Sequence, residues 1–238
     1  MNSRYGLAVA IVSLTCAWAP TAPTRAQTQE PPKVQIPQAG VSEIMTMEGK
    51  FVRAAYNNEG YVILGYQVAN YSIGEEWLLL QVGMTLRERV SDYMLTRGAL
   101  SLETPDGKTL PLPTIQEHRE GETRAIQQRE AVQRDSINYF PPNAHRPCAM
   151  VFFPELDDRA LPRDDVELSS SRACVGRLYF KVPGGITYGQ HWLNVQFEKS
   201  LIRVPFRILT KEEEKTLSRH YGDIEKQVRE AFKPKKKG

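Results

Sequence analysis

The chain has 238 residues, 41% of them apolar and 25% charged, with 31 basic against 28 acidic side chains. That length can bury a sizeable core, in one large domain or two small ones. The formal charge of +3 is carried by the ends, since Arg4 and Arg25 lie in the first 26 residues and four lysines in the closing KPKKKG; the body between them is slightly acidic, so the basic balance does not indicate a nucleic-acid-binding face, and no nucleic-acid partner is expected.

The N-terminus combines a positive Arg4, an apolar run Leu7–Leu14, and Thr24 and Ala26 at the −3 and −1 positions of a cleavage after Ala26. This is the organisation of a secretory signal peptide over residues 1–26. The alternatives are a retained anchor and a lipoprotein at Cys16. The apolar run 7–19 is shorter than the roughly 20 residues a spanning helix needs, and Leu14 and Thr15 fit a lipidation site poorly. Residues 27–40 (QTQEPPKVQIPQAG) are polar and Pro-rich and read as a disordered linker. The expected location is periplasmic or extracellular, with no stable membrane span after cleavage.

The ordered domain is expected over residues 41–209. In YVILGYQVAN, Val62, Leu64, Tyr66 and Val68 share one face; in WLLLQVGMTL, Leu78, Leu80, Val82, Met84 and Leu86 do the same. The spacing predicts two antiparallel strands around the turn-forming NYSIGEE. Leu100 and Leu102 precede Asp106-Gly107, a hairpin signal. Residues 114–136 change to Glu, Gln, Arg and Ala, which predicts an inserted, mostly solvated helix, in one piece or broken near Gly121. CAMVFF, from Cys148, reads as a buried central strand. Strand periodicity then aligns Cys174, Leu178, Phe180 and Val182; His191, Leu193, Val195 and Phe197; and Ile202, Val204, Phe206 and Ile208. Pro205 lacks a donor and places the last of these at an edge or a bulge. Residues 210–238 read as a C-terminal amphipathic helix with a basic tail. Thr210 and Glu213 make a capping box, and Leu217, Tyr221, Ile224, Val228 and Phe232 an apolar stripe.

Removing the signal peptide leaves two cysteines, Cys148 and Cys174. In an oxidising compartment the expectation is a disulfide, closing a loop worth roughly 3 to 3.5 kcal/mol. The rivals are a metal site with His145 and a nucleophilic thiol with His145 as base. A structural zinc site wants four ligands where three candidates are visible. A nucleophile needs a depressed pKa. Nucleotide, zincin, nucleophile-elbow and EF-hand motifs are absent from the sequence, and neither a cofactor nor a metal is expected. The acidic run Glu155, Asp157, Asp158, Asp164, Asp165 and Glu167 reads as a solvated loop, with calcium binding as the alternative. His191 falls on a core-facing parity, whereas His118 and His220 read as helix-surface residues. Tyr61, Tyr71, Trp77 and Trp192 fall opposite the core parities of their strands and are the candidate ligand-binding residues, unless a helix covers them.

The stretch from Gly65 to Leu112 resembles immunoglobulin-like domains of unknown function in bacterial secreted proteins and lipoproteins. The matching positions are Asn70, Leu100, Leu102, Asp106, Gly107 and Lys108, within residues 60–112. The resemblance implies a non-enzymatic envelope domain and carries over no catalytic residue. The predicted fold is an all-β, immunoglobulin-like antiparallel sandwich of seven to nine strands with an inserted helix and a C-terminal helix. The expected function is a non-catalytic protein-interaction or structural module with an unknown partner in the cell envelope. The alternative is a carbohydrate- or small-ligand-binding domain using the exposed aromatics, and a hydrolase is the third reading.

Overall fold

In a computed structural model, which describes residues 44–154 and 161–231, the alternating segments become strands of three sheets. β1 (Ile44–Gly49), β2 (Val52–Tyr56), β3 (Gly60–Gly65) and β4 (Trp77–Leu86) run as an antiparallel meander. β10 (Arg172–Lys181) pairs antiparallel with β4, and β8 (Arg146–Met150) pairs parallel with β10, completing a six-stranded sheet. The second sheet has the order β12 (Leu201–Ile208), β11 (Gly189–Gln196), β6 (Leu100–Glu103), β7 (Thr109–Pro111). β5 (Tyr93–Thr96) and β9 (Asp165–Leu168) form a separate two-stranded pair. The expected signal peptide, the linker, Glu155, Asp157 and Asp158 of the acidic run, and Phe232 with the lysine tail lie outside the described residues.

The core lies between the two larger sheets. Val62, Leu64, Leu78, Leu80, Leu178 and Phe180 from one meet Leu193, Val195, Ile202, Val204 and Phe206 from the other, all at most 1% exposed. The parities read for these strands are those observed. β12 is an edge strand, as Pro205 requires. The described residues hold twelve strands where seven to nine were expected. The additions are short: the β1–β2 hairpin and the β5–β9 pair, so Asp165 and Glu167, read as part of a solvated loop, lie on a strand.

The inserted segment forms α2 (Ile115–Glu120) and α3 (Arg124–Val132), broken at Gly121. Gly121 lies so close to Trp77 that a β-carbon there would overlap the indole. Both helices and the following chain lie over the outer face of the six-stranded sheet, so β4 is buried along its whole length. A smaller cluster on that side joins Val52, Ala54, Ile63 and Ile137, with Tyr61 and Phe140 packed against it. Glu130, 3% exposed, fastens α3 to the sheet. It pairs with Arg134 at 3.0 Å and Arg177 at 3.1 Å, and accepts from the Gln81 amide. Burial pushes its carboxyl up, but the two guanidinia outweigh that and hold it below the usual carboxylate range.

Three expectations are corrected. YVILGYQVAN is not one strand: β3 ends at Gly65, and Gln67–Asn70 forms the one-turn helix α1. Asp135 packs where a Gly65 side chain would stand and accepts the Gln67 N–H at 2.8 Å, which turns the chain out of the sheet. CAMVFF does not supply a central strand. β8 is the edge of its sheet, largely exposed, and the deeply buried Met150, Phe152 and Phe153 come at and beyond its end. His118 is not a surface residue: it is 3% exposed, ringed by Phe153, Tyr179 and Trp77 at centroid distances of 4.7, 4.8 and 6.0 Å. Burial lowers its pKa.

Cys148 and Cys174 are register partners on the adjacent parallel strands β8 and β10, and they form a disulfide. Cys174 faces the core, and the bridge ties the exposed edge strand to it. The C-terminal helix α4 (Lys211–Ala231) opens with the expected capping box. The Glu213 N–H donates to Thr210 Oγ1 at 3.2 Å, and the Thr210 N–H donates to Glu213 Oε2 at 3.0 Å. Its first half docks on the β1–β2 hairpin: Lys50 pairs with Glu214 at 2.6 Å, and Tyr221 Oη donates to the Gly49 carbonyl at 2.8 Å. Among the described residues no helix is long and apolar enough to cross a membrane.

Candidate interaction face

The strands of the second sheet alternate strictly. Leu193, Val195, Ile202, Val204, Leu100 and Leu102 point into the core. Trp192, Asn194, Arg203, Pro205, Ser101 and Glu103 therefore point outward. Register sets them in two rows: Trp192 stands between Glu103 and Pro205, and Asn194 between Ser101 and Arg203. The outer face is thus a grid of polar side chains around one indole.

The grid is held by its own contacts. The Arg203 guanidinium lies over the Trp192 ring, 4.7 Å from its centroid. It donates through Nε to Asn194 Oδ1 at 3.2 Å, and through Nη2 to Glu103 Oε2. Asn194 Nδ2 donates in turn to Ser101 Oγ at 3.5 Å. A shallow cavity of about 580 Å³ opens beside Asn194 and Arg203, walled by Gly98 and Leu201. Arg207, farther along β12, pairs with Glu213 of α4 at 2.7 Å. That bond is the main cause of the lowered Glu213 pKa.

The four aromatics singled out from the sequence do not form one strip. Trp192 alone lies on the second sheet. Tyr61, half-buried on the first sheet, stacks on Tyr56 at 5.2 Å, and its phenol is raised by burial and then by Glu48. Tyr71 is 41% exposed and donates to Glu214 Oε1 at 2.6 Å, so it holds α4. Burial and that bond push its phenol up to about 12. Trp77, 7% exposed beneath α2 and Gly121, is a core residue. His191 is the core histidine its parity indicated, bonded through Nδ1 to the Gly189 carbonyl at 3.1 Å and lowered by burial. Arg203, Asn194 and Glu103 were missed. Their signal was the outward parity of β12 and β11, but the partners lie 9 and 100 positions apart. Among the described residues no three His, Cys, Asp or Glu side chains gather to hold a metal ion.

Comparison of the chain with protein-family models, curated proteins and solved structures found no match in any of the three.

Proposed function

We propose that this chain is a non-catalytic interaction module exported to a bacterial cell envelope, an immunoglobulin-like sandwich that receives a protein partner on the outer face of its four-stranded sheet. The observation that carries the reading is the outward-facing, half-buried Trp192–Arg203 stack with its hydrogen-bonded surround. Two aromatics of the same outward parity on the other sheet are instead covered: α2 lies over Trp77, and Tyr61 lies against Phe140 and Ile137. Trp and Arg are the side chains most enriched among energetic anchors of protein interfaces. Here their rotamers are set before a partner arrives, which lowers the ordering cost of association. The acidic and basic groups of the face are paired with each other, an arrangement suited to holding a surface and not to moving protons. Export is supported by the N-terminal sequence pattern and by the cysteine pair.

The test is the affinity of a partner purified with the native protein, measured against Trp192→Ala and Arg203→Ala. Anchors of this kind carry at least 2 kcal/mol, so each variant should bind roughly 30-fold more weakly. Arg119→Ala, on the exposed side of α2, should bind as the wild type does. Full retention of affinity in both face variants, with loss on deleting residues 210–238, would move the interface to α4.

A further inference from the structure

α2 covers part of the six-stranded sheet, and one side chain holds it there. His118 is its single buried residue; Gln116, Glu117, Arg119 and Glu120 are exposed, and Ile115 is half-buried. The chain on either side is anchored independently. Before α2, Leu112 lies in the core and Arg97 donates to the Pro113 carbonyl. After it, Ile126 and Glu130 fix α3 to the sheet. Residues 114–122 therefore span two fixed points with His118 as their one buried side chain.

The imidazole sits in an apolar socket of Phe153, Tyr179 and Trp77. Its Nε2 lies 3.3 Å from the Pro154 carbonyl oxygen, which can only accept, so Nε2 carries the ring proton. Nδ1 is then a bare lone pair, and it is buried without a hydrogen-bond partner among the described residues. A proton added there would create a buried donor with no acceptor, on a cation stripped of water. Aromatic faces attract a cation, and yet burial, opposed by the Pro154 bond, still holds this imidazole below its ordinary pKa.

The neighbouring groups do not offset that cost. From β10 the titratable side chain in the socket is Tyr179, and a phenol carries no charge in acid; Trp77 of β4 and Phe153 do not titrate. Arg119 and Glu120 of α2 face solvent. Glu117 accepts the Thr114 N–H at 2.7 Å. That bond first, the Thr114 hydroxyl next, and then Lys181 and Arg97 hold its carboxyl below the usual range, so it remains a charged cap for α2 at pH 5.

We infer that residues 114–122 form an acid-released lid: protonation of His118 at Nδ1 expels the imidazole from its socket, α2 lifts between its two anchors, and the aromatic floor of Trp77, Phe153 and Tyr179 opens to solvent. The closed form binds this proton less tightly than the open one. Closure is therefore constant above about pH 6.5, the ordinary imidazole value, and weakens as pH falls below it. At about pH 5 opening is favoured by up to about 30-fold over neutral pH. The lid is independent of the Trp192 face.

Amide hydrogen exchange in the full chain reads this opening equilibrium. The His118 N–H, bonded to the Thr114 carbonyl, and the Gly121 N–H, bonded to the His118 carbonyl, report on the lid; the Gln127 N–H, bonded to the Thr123 carbonyl, reports on the α3 anchor. After correction for intrinsic rates, protection of the two lid amides should fall by up to about 30-fold from about pH 7.5 to about pH 5, and that of Gln127 should hold. In His118→Phe, which fills the socket with a ring that does not titrate, the fall should be absent. In Glu155→Gln, the residue after Pro154, it should persist. NMR titration of the His118 ring in the wild-type protein should give a midpoint below 6.5, a readout that stands even if His118→Phe does not fold. Lid protection that is the same at both pH values, an equal fall in His118→Phe or at Gln127, loss of the fall in Glu155→Gln, or a His118 midpoint at or above 6.5 would each overturn the lid.

Discussion

Asp135→Asn should stabilise the protein at neutral pH, and the gain should disappear in acid. Asp135 is packed against Gly65, with its Oδ2 accepting the Gln67 N–H at 2.8 Å and its own N–H donating to Gln81 Oε1 at 2.8 Å. Burial pushes its carboxyl up to about 6, only partly opposed by the Gln67 N–H and by Arg53. The unfolded value is near 3.9, so the folded protein binds the proton more tightly. Stability is then greatest below about pH 4, falls as pH rises through 6, and is constant above. Two pH units correspond to about 3 kcal/mol as the full penalty of keeping this carboxylate charged in the fold. Asparagine has the same shape, can still accept the Gln67 N–H, and carries no charge. The variant should therefore gain up to about 3 kcal/mol at pH 8, roughly 6–12 °C in melting temperature for a chain of this size. Near pH 4 the gain should vanish. Urea unfolding of both proteins at pH 4, 6 and 8 gives the difference directly, and any pH-independent cost of the amide cancels in it. A variant destabilised by the same amount at all three values would refute the reasoning.

Reduction, or Cys148→Ser with Cys174→Ser, should lower stability by roughly 3.5 kcal/mol for the 26-residue separation, read as a shift in the urea midpoint; two free thiols in the native protein would contradict the pairing. Glu130→Gln should cost about 3 kcal/mol or more in thermal unfolding, because Arg134 and Arg177 lose their shared buried carboxylate. Trp77→Ala should cost about 3–5 kcal/mol by leaving a cavity under α2, without altering affinity at the Trp192 face.

Much of the sandwich was legible in the sequence where a strand has one wet face. β11 and β12 alternate cleanly, and so their inward and outward sets, the edge at Pro205 and the site of Trp192 follow from period alone. Local chemistry was equally readable in the Thr210–Glu213 box and the cysteine pair, whereas the sequence left open whether the inserted helix breaks at Gly121, which the approach of Trp77 decides. What was not legible depends on which segments become neighbours. The β1–β2 hairpin carries Ala54, Ala55 and exposed Met45 and Met47, too weak a pattern to stand out. Trp77 has the outward parity of Trp192, and only the placement of α2 over it separates their fates. The same placement buries His118. Arg203 meets Glu103 because β6 and β12 flank β11, which no local period encodes.

The most direct measurement of which face this protein works through is site-specific photo-crosslinking in intact cells, with the reactive side chain at Asn194 on the four-stranded sheet or at Val132 on the exposed side of α3. A discrete adduct from position 194 and none from position 132 is the predicted result. Adducts from position 132 alone would place the partner on the inserted helices and contradict the account.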